Sequence, residues 1–350
     1  MQALKEYAWS VIGAGPAGIT AIGLLLDQGV IADDILWIDP YFQAGDFGKL
    51  WGEVNSNTRV ILFRKFLEGV SSFDYQNRPT HFAFDQLKES DFTELKNVTE
   101  PLLWVSDTLK QQVIAEKTFV KSLRIRQGCW EIEANDHQFF RSEKVILAIG
   151  SEPNLLNYPG PKPIDLVTAL TPSKLRFICK PTDNVAVFGS SHSAMIAIRN
   201  LIEAGVKNII NFYISPLKFA VLMKDWIFYD DSGLKGDTAA WVKQYILKDP
   251  LPHIQRYVVN EEHLETYLPS CNKVVYAVGF QPRQIATHGA SLVHYDETNG
   301  IIAPGLFGVG IGFPLAVFDP FGRKEFNIGL WKFLKNMERV LPIWREYGLS

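Results

Sequence analysis

The stretch AWSVIGAGPAGITAIGLLLDQG, residues 8–29, decides the fold. Trp9 to Ile12 read as a short buried strand, and Gly13-Ala14-Gly15-Pro16-Ala17-Gly18 spell G-x-G-x-x-G. Ile19 to Gln28 carry apolar residues at helical spacing, and Gly29 can stop the helix. Gly13 permits the tight turn out of the strand, Gly15 lets a pyrophosphate approach the backbone, and Gly18 lets helix and strand pack closely. The helix N-terminus, beginning at Pro16, offers free N–H groups from Ala17 onward and partial positive charge to phosphates. A second strand, Ile35 to Ile38, ends in Asp39-Pro40, and Asp39 stands 21 positions after Gly18. An acid there can accept hydrogen bonds from a ribose hydroxyl. The competing reading is a tight strand-to-helix turn in some other α/β protein. The full order of strand, glycines, helix, strand and acid favours the dinucleotide site.

Around this stretch, 350 residues allow about two domains and a large core. The chain is 47% apolar and 21% charged, a globular composition. A formal charge of −3 gives no electrostatic case for nucleic acid or an anionic membrane. Cys129, Cys179 and Cys271 are far apart in sequence, with neither C-x-x-C nor zinc spacing. The seven histidines show no ligand spacing either, so no metal site is expected. Without a signal-like N-terminus, or an uncharged apolar run of roughly 18 residues, the expectation is a cytoplasmic protein with no membrane span.

Further along, residues 40–80 form a long, weakly periodic connection, of a length that tends to be functional. Pro101 is expected to open a helix over Leu102 to Glu116. Thr118 to Arg126 and Trp130 to Ala134 read as a hairpin around Gln127-Gly128, with Phe139 to Arg141 a separate strand. Lys144 to Ile149 then run as a buried strand into Gly150. After a proline-rich linker the opening grammar returns: strand Asn184 to Phe188, turn Gly189-Ser190-Ser191-His192-Ser193-Ala194, helix Met195 to Ala204, strand Asn208 to Ile214. The two glycine turns lie about 175 residues apart, and such duplication points to two dinucleotide-binding units. Val274 to Pro282 repeats the pattern of Val145 to Pro153, and Glu325 to Tyr347 is expected as a helix interrupted by Pro342.

VIGAGPAG at 11–18, VILAIGSEP at 145–153, VAVFGSSHSA at 185–194 and VVYAVGFQP at 274–282 stand in a fixed order. This order resembles the two-dinucleotide-binding-domain flavoproteins, which include thioredoxin-reductase-like enzymes and flavin-containing monooxygenases. The resemblance implies an α/β fold of two Rossmann-like, three-layer ββα domains. FAD would sit on a discontinuous domain, 1–157 with 283–350, and a nicotinamide cofactor on 158–282. Gly150 and Gly279 would mark the crossings. Disulfide reductases need a redox cysteine pair, which this chain lacks. DFGKLWGEVNSNTRV looks more like the flavin-containing monooxygenases, with Gly48, Trp51, Ser56, Asn57 and Thr58 matching. In those enzymes the asparagine lies by the flavin and helps stabilise its oxygen adduct. Asn57 matches it, although Asn55 is only two positions away, and a turn- or helix-capping Asn57 is the structural alternative.

The resemblance has departures. Ser191 replaces the middle glycine, where a side chain crowds a pyrophosphate. His192 stands where asparagine or aspartate is usual; it lines the nicotinamide site or, as the preferred reading, caps the helix. Lys218 is the basic residue expected to meet a 2′-phosphate, since no arginine follows the second unit's strand, and it leans the expectation slightly to NADP over NAD. Gly310 precedes Ile311 rather than the aspartate of the reductases. Gly189 to Ser193 also resembles G-x-S-x-G, so a hydrolase with Ser191 as nucleophile is a minor alternative. Phe321, Gly322 or Arg323, at the expected start of the last helix, is placed beneath the flavin. The expected function is an FAD-dependent NAD(P)H oxidoreductase, monooxygenase-like, oxygenating a small nitrogen or sulfur nucleophile. The alternatives are an NAD(P)H-dependent reductase or oxidase with another acceptor, or a nucleotide-binding sensor that does not turn over. An oligomer is possible.

Overall fold

The structure, a computed structural model, describes residues 5–349. The first body grows from β1 (Glu6–Ile12), α1 (Pro16–Asp27) and β2 (Ile35–Ile38). The last four residues of β1 and all of β2 are buried, as central parallel strands covered on both faces must be. α2 (Gly45–Lys49), α3 (Val60–Glu68) and α4 (Lys96–Lys110) follow. Next come β3 (Ile114–Glu116), β4 (Val120–Arg126), β5 (Cys129–Ala134) and β6 (Phe139–Leu147). β3, β2, β1 and β6 are parallel neighbours, and β5 and β4 extend the sheet antiparallel. One face packs on α1 and α4 through Ile22, Leu25, Val105 and Leu109. The other packs Ile12, Leu36 and Leu147 against Leu123, Trp130 and Ile132 of the antiparallel strands, which makes the third layer.

β7 (Ser151–Pro153) leads out to the second body. Its sheet has the order β13 (Ile254–Val258), β10 (Asn208–Tyr213), β9 (Asn184–Phe188), β14 (Lys273–Tyr276), β8 (Lys162–Ile164), all parallel. α5 (Leu166–Ala169), α6 (Pro172–Ile178) and α7 (His192–Glu203) cover one face, joined by Val242 of α8 (Gly236–Val242). α9 (Glu261–Tyr267) supplies Leu264 and Tyr267 to the other. Between β10 and α8 the chain makes an excursion with a small hairpin, β11 (Val221–Leu222) and β12 (Ile227–Phe228). The chain returns through β15 (Phe280–Pro282), antiparallel to β7. It then adds β16 (Ala286–His288), β17 (Ile301–Ala303) and β18 (Leu306–Gly308) to the first sheet. A hairpin of β19 (Ala316–Phe318) and β20 (Lys324–Phe326) precedes α10 (Leu330–Glu346).

Three sequence expectations shift. The helix expected over 102–116 is α4, which starts six residues earlier and carries Pro101 inside, while Ile114–Glu116 is a strand. Pairing of Ile114 with Leu36 extends the central sheet, a tertiary gain that local propensity does not register. The strands expected at 139–141 and from Lys144 onward are one, β6, held in register with both β1 and β5. The last helix begins at Leu330, because Lys324–Phe326 belongs to a hairpin, and it runs unbroken through Pro342. Burial of Val340, Leu341 and Trp344 on its inner face offsets the hydrogen bond that the proline removes.

Candidate functional site

Gly13 has φ +109°, and a Cβ on it would stand 2.3 Å from the Ala148 carbonyl oxygen. A Cβ on Gly18 would stand 1.9 Å from the Gly13 carbonyl oxygen. Neither position admits a side chain. Gly15 faces only Gly45, whose own added Cβ would lie 2.8 Å from the Gly15 Cα. This bare backbone leads into the first turn of α1, whose N-cap, Gly15, gives no side-chain cap. The turn's donors are therefore free for an anion. Gly310, at φ +90°, passes so close to Ala17 that an added Cβ would be 2.8 Å from the alanine methyl. Asp39 is buried and well used: Oδ2 accepts from the Ala14 N–H at 2.8 Å, and Oδ1 accepts from the Tyr41 and Phe42 N–H groups at 2.7 Å each. It clamps the loop, with an acceptor site left on Oδ2 for a hydroxyl.

A cleft of about 1470 Å³ starts on Gly13, Gly15 and Pro40 and runs between the bodies to His192 and Ser193. That volume exceeds the range of about 300–1,000 Å³ for one small-molecule site. Trp51 lines its middle and meets Phe280 edge to face, with ring centroids 6.3 Å apart. Asn55 donates from Nδ2 to Asp237 Oδ2 across the body junction at 2.8 Å. Asn57 faces the cleft; its Oδ1 accepts from the Thr58 hydroxyl at 3.3 Å, and among the described residues its Nδ2 has no protein partner. It caps no helix: the N-cap of α3 is Arg59, without a side-chain cap. Ser56 turns its hydroxyl back to Thr58, accepting from the Thr58 N–H at 2.8 Å, which fixes the loop between the two asparagines.

The second glycine turn repeats the first. Gly189 has φ +127°, and a Cβ there would stand 2.3 Å from the Ala277 carbonyl oxygen. Ser191 is the N-cap of α7, with extended backbone and no side-chain cap. The His192 ring does not cap α7, contrary to the preferred sequence reading. Its Nε2 accepts from the Lys235 N–H at 3.0 Å. Burial pushes its pKa down to about 4, so the ring is a neutral acceptor. No hydrogen bond joins Ser191 to a histidine among the described residues, so the nucleophile-elbow alternative has no base. Beyond Lys235 the excursion is pinned to the first body. Asp230 pairs with Lys235 and, at 2.6 Å, with Lys332 of α10, and those two cations hold its carboxyl below the usual range despite burial.

No protein-family model matches the chain. A monooxygenase of Paecilomyces divaricatus, AgnR1, is 32% identical over 393 aligned positions, spanning 98% of this chain and 99% of the relative. The chain belongs to this monooxygenase family. Solved structures give the fold. A flavin-containing monooxygenase from Stenotrophomonas maltophilia superposes with a TM-score of 0.65 at 12% identity, over 98% of both chains. The bacillithiol disulfide reductase Bdr of Bacillus cereus follows at 0.59 and 13%, over 98% and 99%. Thioredoxin reductase of Lactococcus lactis follows at 0.57 and 12%, over 97% and 98%. This is the two-dinucleotide-binding-domain fold, and the chain is an oxidoreductase of the monooxygenase family.

In this oxidoreductase the cleft brings together Gly13, Gly15, Pro16, Ala17, Asp39, Pro40, Trp51, Asn57, Gly150, His192, Ser193 and Gly310. Gly18, Gly48, Gly189, Ser190, Ser191, Lys218 and Gly279 do not line it. Gly48 is a packing glycine, its added Cβ 2.3 Å from the Gln43 carbonyl oxygen. Lys218 sets its ammonium over the Tyr229 ring, 5.3 Å from the centroid, in the excursion. Phe321 and Gly322 lie at the tip of the β19–β20 hairpin, where Phe321 meets Trp226. The α10 start that faces the cleft is instead Gly329 to Lys332, eight residues on. Arg283 escaped sequence reading. It lines the cleft beside Gly150, donates to the Ile149 carbonyl at 3.3 Å and pairs with Asp46. Only its place two residues after VVYAVGFQP's glutamine could have flagged it. All three cysteines are buried and outside the cleft, and no helix among the described residues is long and apolar enough to cross a membrane.

Proposed function

We propose that the chain is an NADPH-consuming, FAD-dependent monooxygenase that oxygenates a nitrogen or sulfur nucleophile on a small molecule. In this reading 1–157 with 283–350 hold FAD, and 158–282 hold the nicotinamide nucleotide. The observation that carries it is the single cleft joining the first glycine loop, by way of Asn57 and Trp51, to the start of α7. The bare Gly13–Gly15 backbone and the uncapped α1 turn fit a pyrophosphate. FAD, when bound, supplies the two-electron carrier and the centre that activates oxygen.

The chain's own residues then position and protect. The spare acceptor site on Asp39 suits a ribose hydroxyl. The free Asn57 amide offers a donor without a competing charge. Trp51 and Phe280 narrow the cleft where the bodies meet and exclude water there. The uncapped start of α10, at Gly329, turns its dipole toward the cleft and favours negative charge on a ring placed there. Cysteines kept outside the cleft argue against disulfide exchange.

An absorbance spectrum of the purified protein, with NADPH or NADH added without oxygen, tests the scheme. Yellow protein bleached by the nucleotide is expected; protein that neither carries nor takes up flavin overturns it. The second reading is a reductase or oxidase with another acceptor, favoured by the Asp46–Arg283 pair, which commits the arginine beside Gly150 to a carboxylate. Hydrogen peroxide formed per NADPH should fall when a suitable amine or sulfide is added. A constant yield across such a panel selects the oxidase.

A further inference from the structure

The first glycine turn fixes where a dinucleotide's ribose meets the sheet. The Gly13 N–H donates to the Ile38 carbonyl at 2.8 Å, and the residue after Ile38 is the acid Asp39. The Gly189 N–H donates to the Phe212 carbonyl at the same 2.8 Å, and the residue after Phe212 is Tyr213. Tyr213 thus holds the position at which an acid favours a ribose hydroxyl and repels a 2′-phosphate. Over its ring lies the Arg256 guanidinium, 4.7 Å from the centroid.

Arg256 comes from β13, the neighbouring strand, where it pairs in register with Asn211. Asn211 commits its amide hydrogens to carbonyls, donating to Val187 at 2.9 Å and to the turn's own Gly189 at 2.8 Å. Its Oδ1 therefore faces away from the turn and accepts from Arg256 Nε at 2.8 Å. This orients the guanidinium and ties it to the glycine loop. Arg256 Nη2 is buried without a hydrogen-bond partner. Burial works against the charge, and no carboxylate among the described residues offsets it. A half-buried arginine that lacks an acid costs stability unless an anion completes it. A phosphate monoester matches its fork of donors.

We infer that Arg256 is the specificity-determining residue of the second unit: it binds the 2′-phosphate of the nicotinamide nucleotide and so selects NADPH over NADH. This rests on the reading that the second unit binds such a nucleotide. Lys218, engaged with Tyr229 on the excursion, is not needed for the role.

The test titrates adenosine 2′,5′-bisphosphate and adenosine 5′-monophosphate calorimetrically into the flavin-loaded protein. The quantity read is the ratio of the two affinities, because any loosening of the glycine loop affects both ligands alike. The native protein should prefer the bisphosphate by about tenfold or more. Arg256→Gln should bring the ratio close to one with the flavin spectrum unchanged, and Arg256→Lys should restore part of it as a point charge. Tyr213→Asp should invert the preference. Equal binding of both ligands by the native protein overturns this inference alone, as does a ratio that survives Arg256→Gln. Binding of neither ligand overturns the nucleotide reading of the second unit along with it.

Discussion

The two glycine turns are built on one plan and differ at the positions that follow the first glycine. In both, a glycine at positive φ sits 2.3 Å, by its absent Cβ, from an alanine carbonyl, Ala148 in one and Ala277 in the other. In both, a side chain on the second strand steadies the glycine carbonyl: Trp37 Nε1 donates to Gly13 at 3.0 Å, and Asn211 Nδ2 to Gly189 at 2.8 Å. The alanine N–H groups close each turn on the first strand, at 2.8 and 2.9 Å. The differences lie at the other positions. Gly15 and Gly18 have Ser191 and Ala194 as counterparts, and Asp39 has Tyr213. Backbone contact therefore dictates the first glycine of each turn, while the remaining positions differ with how closely each helix packs on its turn.

The comparison can be broken most violently at Gly18. Gly18→Val drives a side chain into the Gly13 carbonyl and should cost more than about 3 kcal/mol, seen as flavin-free or insoluble protein. Gly189→Ala strains the other turn; flavin absorbance should persist while bleaching by NADPH is lost. Next comes acid. His192 is neutral in the fold with a pKa near 4, whereas the unfolded chain takes up a proton near 6.5. Its contribution to stability is full above that value and falls as pH drops from about 6.5 toward 4, by up to about 3 kcal/mol. Denaturation midpoints of His192→Gln should fall less steeply over that window than those of the native protein. An equal slope would show that His192 is not held neutral by its burial. Asn57→Ala should keep flavin content but raise uncoupled peroxide formation about tenfold, with Asn57→Asp no better; unchanged coupling removes Asn57 from the chemistry. The smallest effect is expected at Ser191→Gly, which relieves crowding and should tighten NADPH binding about threefold in a fluorescence titration.

Much of the first turn was legible because its glycines are steric necessities that leave a mark in sequence. Gly13 and Gly18 can be nothing else, and the acid at 39 follows at a regular distance. The second turn was legible as an echo. What escaped was everything carried by tertiary contact. His192 meets Lys235 across 43 positions, and Asn211 meets Arg256 across 45, so no local pattern could announce either pair. Arg256 enters from the strand beside β10, so nothing in the residues that follow β10 pointed to it. Asp39 shows the converse: its residue type suggested a ribose, and its three backbone bonds show that it also holds the loop itself. The last helix, expected from Glu325, starts five positions later at Leu330, because Phe318-Asp319-Pro320-Phe321-Gly322 has the composition of a helix-leading turn, but closes a hairpin.

The antiparallel pairing of β7 with β15 has a mechanical meaning. Phe280 lies opposite Pro153 and Pro282 opposite Ser151, so both passages between the bodies run side by side. The second body hangs on two covalent leashes bound into one ribbon. Sliding the bodies past each other would break the ribbon's register, whereas bending across it preserves the pairing. A protease that cuts within 154–161 severs one leash, yet the other still holds the body in place.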